Sequence, residues 1–156
     1  MTDSPVAVGA AAPDFILKNQ HGQDVSLADR IAERPVLLVF YPFAWSGVCT
    51  GELCGIRDDA AGFTGDAAAE VMAVSCDPMF TLRAWADAQH FDFDLLSDFW
   101  PHGQVARDYG VFNADAGMAI RGTFLLDRTG TVRWTQVNGP GEARDFEGYR
   151  EALAAL

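Results

Sequence analysis

Apolar residues along this chain fall into short runs, and the spacing within each run predicts an element. Val36-Leu37-Leu38-Val39-Phe40 is uninterrupted and rich in strand formers, the pattern of a central strand covered on both faces. Beyond the Tyr41-Pro42 turn, Leu53, Ile56, Ala60 and Phe63 recur at helical spacing, which puts Cys49 near the first turn of a helix. A second apolar run, Val71-Met72-Ala73-Val74, follows that helix, and alternation of strand and helix implies parallel pairing. Asp77-Pro78 then predicts an N-cap with proline at the first helical position, opening a helix through Leu82, Trp85 and Gln89.

Hairpin signals flank this core. Phe15-Ile16-Leu17 and Val25-Ser26-Leu27 enclose the polar stretch Lys18 to Asp24 and predict an N-terminal β-hairpin that caps one sheet edge. Gly122 to Leu126 and Thr131 to Thr135 enclose Asp127-Arg128-Thr129-Gly130 and predict a second hairpin, so the sheet is mixed. Asp145 is placed to cap a final helix with the apolar stripe Phe146, Tyr149, Leu153 and Leu156. The pattern as a whole predicts an α/β fold, a mixed sheet flanked by helices with an N-terminal β-hairpin.

Composition narrows the function classes. A length of 156 residues is that of one ordinary domain, 1–156, able to bury a core without disulfide staples. No apolar stretch approaches the roughly 18 residues that cross a bilayer. The first ten residues carry no signal-peptide pattern, which predicts a cytoplasmic protein. A formal charge of −11 repels nucleic acid and anionic membranes, so neither is expected as a partner. Three cysteines, an odd number, fit a reducing compartment and working thiols. With His21, His90 and His102 they show no paired metal-ligand spacing, so no metal is expected.

The chemistry concentrates at Tyr41 to Cys49. A cysteine at a helix start lies among unpaired backbone N–H groups and at the positive end of the helix dipole, where an anionic sulfur is stabilised. The spacing Pro42, Ser46, Cys49 resembles the active-site motif of the peroxiredoxins, which is Pro, three residues, Thr or Ser, two residues, Cys. Glu52 and the Arg121-Gly122-Thr123-Phe124 stretch extend the resemblance, as do Pro13-Asp14-Phe15, Leu95 to Asp98 and Tyr109-Gly110-Val111. Leu96 to Gly103 and Gln136 to Glu142 look most like the E-type alkyl hydroperoxide reductases, usually regarded as one-cysteine enzymes. Cys54 departs from that pattern and matches the resolving-cysteine spacing of the Q-type peroxiredoxins, the bacterioferritin comigratory proteins.

The resemblance implies a thioredoxin-like fold and a thiol peroxidase that reduces hydrogen peroxide, organic hydroperoxides and, as a further candidate, peroxynitrite, without a bound cofactor. It assigns Cys49 as nucleophile, with Arg121, the Ser46 hydroxyl and backbone N–H groups holding the peroxide oxygens. Pro42 shields the sulfur and Glu52 orients Arg121. Ser46 stands where threonine is the commoner choice, which keeps the hydroxyl and loses a rotation-restricting methyl. The resulting sulfenic acid is resolved either by Cys54, with a thioredoxin-like reductant, or by a low-molecular-weight thiol and a glutaredoxin-like partner. The family suggests a homodimer, while a monomer fits the Q-type comparison.

On an intact helix, residues five apart rise about 7.5 Å and point some 140° apart, so Cys49 and Cys54 bond only after local unwinding. Gly51 and Gly55 ease that step. Cys76 is expected to be a passive core thiol and Arg144 a surface residue at a helix start, with a second active-site cation as the alternative for Arg144. Phe43, Trp45, Phe99 and Trp100 suit an apolar collar round the substrate entrance or packing in the core or a subunit interface. Two rival readings stand beside the peroxidase. One is a thioredoxin-like protein dithiol–disulfide oxidoreductase, which lacks its usual C-x-x-C here. The other is a non-enzymatic redox sensor or holdase, in which Cys49 oxidation opens the helix.

Overall fold

The computed structural model describes residues 4–58, 69–139, 142 and 144–156. A seven-stranded mixed sheet runs in the order β2-β1-β5-β4-β3-β8-β9. Its strands are β1 (Ile16–Lys18), β2 (Asp24–Ser26), β3 (Val36–Phe40), β4 (Glu70–Ser75), β5 (Asp94–Ser97), β8 (Arg121–Leu126) and β9 (Val132–Asn138). Strands β6 (Phe112–Asn113) and β7 (Met118–Ala119) form a small separate ladder. Strands β3, β4 and β5 are mutually parallel, whereas β8 pairs antiparallel with β3 and the N-terminal hairpin joins β5 antiparallel. Both predicted hairpins are present, and the N-terminal one forms a sheet edge.

Every residue of β3 is buried, as its unbroken apolar run requires. Side chains alternate across the sheet, so Leu37 and Val39 enter one core and Val36, Leu38 and Phe40 the other. The first core is roofed by helices α2 (Gly47–Asp58), α3 (Met79–Gln89) and α5 (Glu147–Ala154), through Leu53, Ile56, Leu82, Trp85 and Tyr149. The second takes Leu27 and Ile31 of α1 (Leu27–Glu33) and Val105 and Ala106 of α4 (Gln104–Asp108). Gly122 is required on this side, because a Cβ there would stand 2.7 Å from Cγ1 of Val111.

Three local expectations change. Helix α1 was not expected, since one Leu27–Ile31 pair over two turns carries little periodicity; the Ser26 hydroxyl, accepting from the Asp29 N–H at 3.4 Å, is the cap that marks it. Helix α3 starts at Met79, with Pro78 in the cap position, and Asp77 does not cap it. Its carboxylate turns instead toward Ala44 and Ser75, which are stronger claims on it than a helix end already begun by proline. In the last helix, Tyr149 is buried, Phe146 and Leu153 pack beside it, and Leu156 is exposed. Phe146, not Asp145, takes the cap position of this helix, and Asp145, one residue earlier, accepts from the Glu147 N–H at 3.0 Å. Ala60 and Phe63 of the predicted helical stripe lie outside the described residues.

Candidate active site

Two periodicities converge on one point. Along α2, Cys49, Glu52, Leu53 and Ile56 share the i, i+3, i+4, i+7 face, which packs onto the sheet and buries Cys49. Along β8, period-2 alternation sends Arg121, Thr123 and Leu125 to that same face. Register does the rest: Thr123 pairs with Val39, so Arg121, two residues before it, lies beside the end of β3 where the chain leaves for Cys49. The Arg121 guanidinium donates to Cys49 Sγ at 3.3 Å and to Oε1 of Glu52. All three side chains are buried.

Arg144 lies in the same cluster, which corrects its expected place on the surface. It leaves the segment between β9 and α5 and is buried, its backbone N–H and Nε donating to Oε2 of Glu52 at 2.9 and 3.0 Å. The guanidinium also reaches the Gly122 carbonyl at 3.1 Å, the Thr123 hydroxyl at 2.8 Å and the Phe40 carbonyl. Two carbonyls and a hydroxyl at the strand ends, together with Glu52, offset part of the desolvation that an arginine in this position suffers. Burial holds the Arg144 guanidinium below its ordinary pKa, with Glu52 opposing and Arg121 adding to the shift. Glu52 is thus held on both oxygens, by arginines from two different segments.

The cluster carries one carboxylate against two guanidinium groups. Cys49 Sγ lies against one of these cations, Arg121, and in the first turn of α2, so negative charge passing through the sulfur would meet the guanidinium and the positive end of the helix. Ser46 is the cap of α2, its carbonyl accepting from the Thr50 N–H at 2.9 Å. Its hydroxyl, three residues before Cys49, is buried and has no hydrogen bond among the described residues, which leaves its donor and acceptor capacity unused. Pro42 is buried and Trp45, between it and Ser46, takes the left-handed conformation at φ 72°.

Cys54 points elsewhere. Five residues on from Cys49, its thiol is half-buried against α3 and donates to Gln89 Oε1 at 3.4 Å, and all three cysteines are free. Cys76 sits in the opposite core, and burial beside Asp98 pushes its thiol up to about 12, in keeping with a passive role. The aromatic residues suggested for a collar are not core. Phe43, Trp45, Phe99 and Trp100 are exposed, Trp100 to 82%. Phe43 and Trp45 follow β3 and Phe99 and Trp100 follow β5, and Phe80, exposed to 73%, stands in the first turn of α3 after the strand between them, β4. No helix among the described residues is long and apolar enough to cross a membrane, and no described group of His, Cys, Asp and Glu could hold a metal ion.

The sequence pattern of the AhpC/TSA family matches residues 8–135. Alkyl hydroperoxide reductase E of Mycobacterium tuberculosis is 49% identical over 149 residues, covering 96% of this chain and 97% of that protein. Thioredoxin-dependent peroxide reductase of Rattus norvegicus mitochondria is 34% identical over 151 residues, covering 90% of this chain and 57% of that protein. Among solved structures, peroxidoxin BcpB from Mycobacterium tuberculosis is similar with a TM-score of 0.83 and 30% identity, covering 96% and 97% of the two chains.

Proposed function

The chain belongs to the AhpC/TSA family of peroxiredoxins and is a thiol-dependent peroxidase, and we propose that Cys49 is the residue that attacks the peroxide. The observation that carries the assignment is the 3.3 Å contact from Arg121 to Cys49 Sγ at the first turn of α2, and it is supported by the buried hydroxyl of Ser46, three residues earlier, which has no partner among the described residues. The thiolate attacks one oxygen of the hydroperoxide, the S–O bond forms as the O–O bond breaks, and the departing alkoxide or hydroxide takes up a proton to leave as alcohol or water. Negative charge moves from sulfur to the departing oxygen during this step. Arg121 and the Ser46 hydroxyl lie where they can follow that charge, which is the kind of preorganised stabilisation that lowers such barriers most. Glu52 and Arg144 act as positioning residues that fix Arg121, and Pro42 screens the sulfur.

The sulfenic acid at Cys49 is then resolved by Cys54: its thiol attacks the Cys49 sulfur, an S–S bond forms, and water leaves. This needs the first turns of α2 to unwind, which Gly51 and Gly55 favour. Neither glycine has tertiary contacts where a Cβ would stand, so both can leave the helix without tearing packing apart. Opposing it is the double hold of Arg121 and Arg144 on Glu52. A thioredoxin-like dithiol protein is the reductant this disulfide suits, a reading supported by the name of the rat relative. A low-molecular-weight thiol with a glutaredoxin-like partner is the reductant if Cys54 stays out. The substrates are hydrogen peroxide and organic hydroperoxides, and the working compartment is the cytoplasm, where thiols are regenerated. The exposed aromatic residues that follow β3, β4 and β5 support a homodimer joined through them.

The test is to treat reduced protein with one equivalent of hydrogen peroxide, block free thiols at once and map the masses. Oxidation is expected at Cys49 first, and Cys49→Ser should abolish peroxide consumption. Undiminished consumption by that variant would overturn the assignment. Loss of two hydrogens shared by Cys49 and Cys54 supports internal resolution, whereas a trapped sulfenic acid with Cys54 free supports the external thiol.

A further inference from the structure

The loop between β3 and α2 is held by a residue with no part in the chemistry described so far. The Ala44 N–H, midway between Pro42 and Ser46, donates to Asp77 Oδ2 at 2.8 Å, and the same oxygen accepts from the Ser75 hydroxyl at 2.7 Å. Asp77 is itself fixed: its N–H points to Ser75 Oγ at 3.3 Å, and the Ser97 hydroxyl donates to its carbonyl at 2.6 Å. A carboxylate at the end of β4, braced from β5, therefore grips the loop at the end of β3. The grip falls one residue before Trp45, whose left-handed backbone is strained for a non-glycine residue and persists only where the surroundings over-determine it. The next residue is Ser46.

We infer that Asp77 is a positioning residue for peroxide reduction: through the Ala44 N–H it holds the Pro42–Ser46 loop in the shape that sets the Ser46 hydroxyl beside Cys49. The inference rests on the peroxidase reading of Cys49. Because the loop carries Ser46 and not Arg121 or the helix face of Glu52, losing the grip affects reaction with peroxide more than the bare nucleophilicity of Cys49. Both bonds fall on one oxygen, so the carbonyl of asparagine can keep both where alanine keeps neither.

The experiment compares Asp77→Ala, Asp77→Asn and Asp77→Glu with wild type in two reactions at Cys49: oxidation by hydrogen peroxide and alkylation by iodoacetamide, each quantified by peptide mass spectrometry. Asp77→Ala is expected to slow oxidation by about ten- to a hundred-fold, the order that goes with misplacing a reacting group by about 1 Å. Its alkylation rate should stay within about threefold of wild type, and Asp77→Asn should restore oxidation to within about threefold. Asp77→Glu keeps the charge and shifts the oxygen by one methylene, so it too is expected to oxidise slowly; it serves where the alanine variant does not fold. Oxidation of the alanine or glutamate variant at the wild-type rate overturns the inference, as does an asparagine variant as slow as alanine, or an equal fall in both reactions. Wild-type protein whose Cys49 does not react with peroxide would instead overturn the peroxidase reading, and this inference with it.

Discussion

Replacing Gly51 and Gly55 together by alanine should leave the attack of Cys49 on peroxide unchanged and slow closure of a Cys49–Cys54 disulfide by about 25-fold. Each glycine costs a helix interior about 1 kcal/mol relative to alanine, so the pair of changes disfavours the unwound state by about 2 kcal/mol. At about 1.4 kcal/mol per factor of ten, that is the 25-fold. The structure permits the substitutions. Neither glycine uses the left-handed region, and a Cβ at either position meets nothing within 4 Å. The folded helix is therefore undisturbed, and the effect falls on the open state.

The assay mixes reduced protein with one equivalent of hydrogen peroxide and quenches at intervals with a thiol-blocking reagent. Intact mass then distinguishes one added oxygen, the sulfenic acid, from the loss of two hydrogens, the disulfide. In the double variant the added-oxygen species should appear at the wild-type rate and persist about 25 times longer. Its longer life also exposes it to a second equivalent of peroxide, so irreversible sulfinic acid should accumulate at lower peroxide than in wild type. Disulfide closing equally fast in both proteins would show that unwinding of α2 is not the controlling step and would refute the reasoning.

Arg121→Ala removes the cation in contact with Cys49 Sγ and should slow peroxide reduction by about a hundredfold or more, measured by rapid mixing; an unchanged rate would remove arginine from the mechanism. Glu52→Gln leaves Arg121 and Arg144 buried without their shared carboxylate, which should cost about 3–5 kcal/mol. For a chain of this size that lowers Tm by about 6–20 °C, and a thermal scan with less than about 2 °C of change would contradict it. Burial pushes the Asp98 carboxyl up to about 6, against the Val105 and Ala106 N–H bonds that draw it down. The native state thus binds the proton more tightly than the unfolded chain, whose aspartate titrates near 3.9, so this group's contribution is full below about pH 4 and declines by about 3 kcal/mol as pH rises through 6. Urea midpoints across pH 4–7 should show that decline in wild type and lose it in Asp98→Asn; parallel curves for the two proteins would refute the linkage.

What the sequence revealed, and what it hid, follows from the range of each interaction. Cys49 and Glu52 are three residues apart on a helix, so their shared face is legible from spacing once the helix is placed. The strand Val36–Phe40 and both hairpins were legible from runs and turn residues, which are local properties as well. Arg121 carries no local signal and was reached through family resemblance; the structure supplies its contact with Cys49, 72 residues away in sequence. Arg144 and Asp77 were misplaced for a common reason. Each stands where local chemistry suggests a helix start, and each is claimed by acceptors or donors from distant segments: Glu52, Gly122, Thr123 and Phe40 for the arginine, Ala44 for the aspartate. A polar residue beside a helix end has a local use within reach, and only topology shows when a distant partner competes for it.

That competition bears on how the enzyme cycles. Glu52 lies between Cys49 and Cys54 on α2, so the arginines that hold the reduced site together also tie down the turn that must open for the two sulfurs to meet. While Cys49 is a thiolate, the four charges balance, and Arg121 is attracted to both sulfur and carboxylate. Oxidation to a neutral sulfenic acid removes one anion. The cluster then holds two cations against one carboxylate, the Coulomb attraction to sulfur is lost, and repulsion between Arg121 and Arg144 is less fully offset. On the proposed route through Cys54, loss of that anion removes one of the two attractions holding Arg121 over α2 and leaves Glu52 as the tie still to be broken.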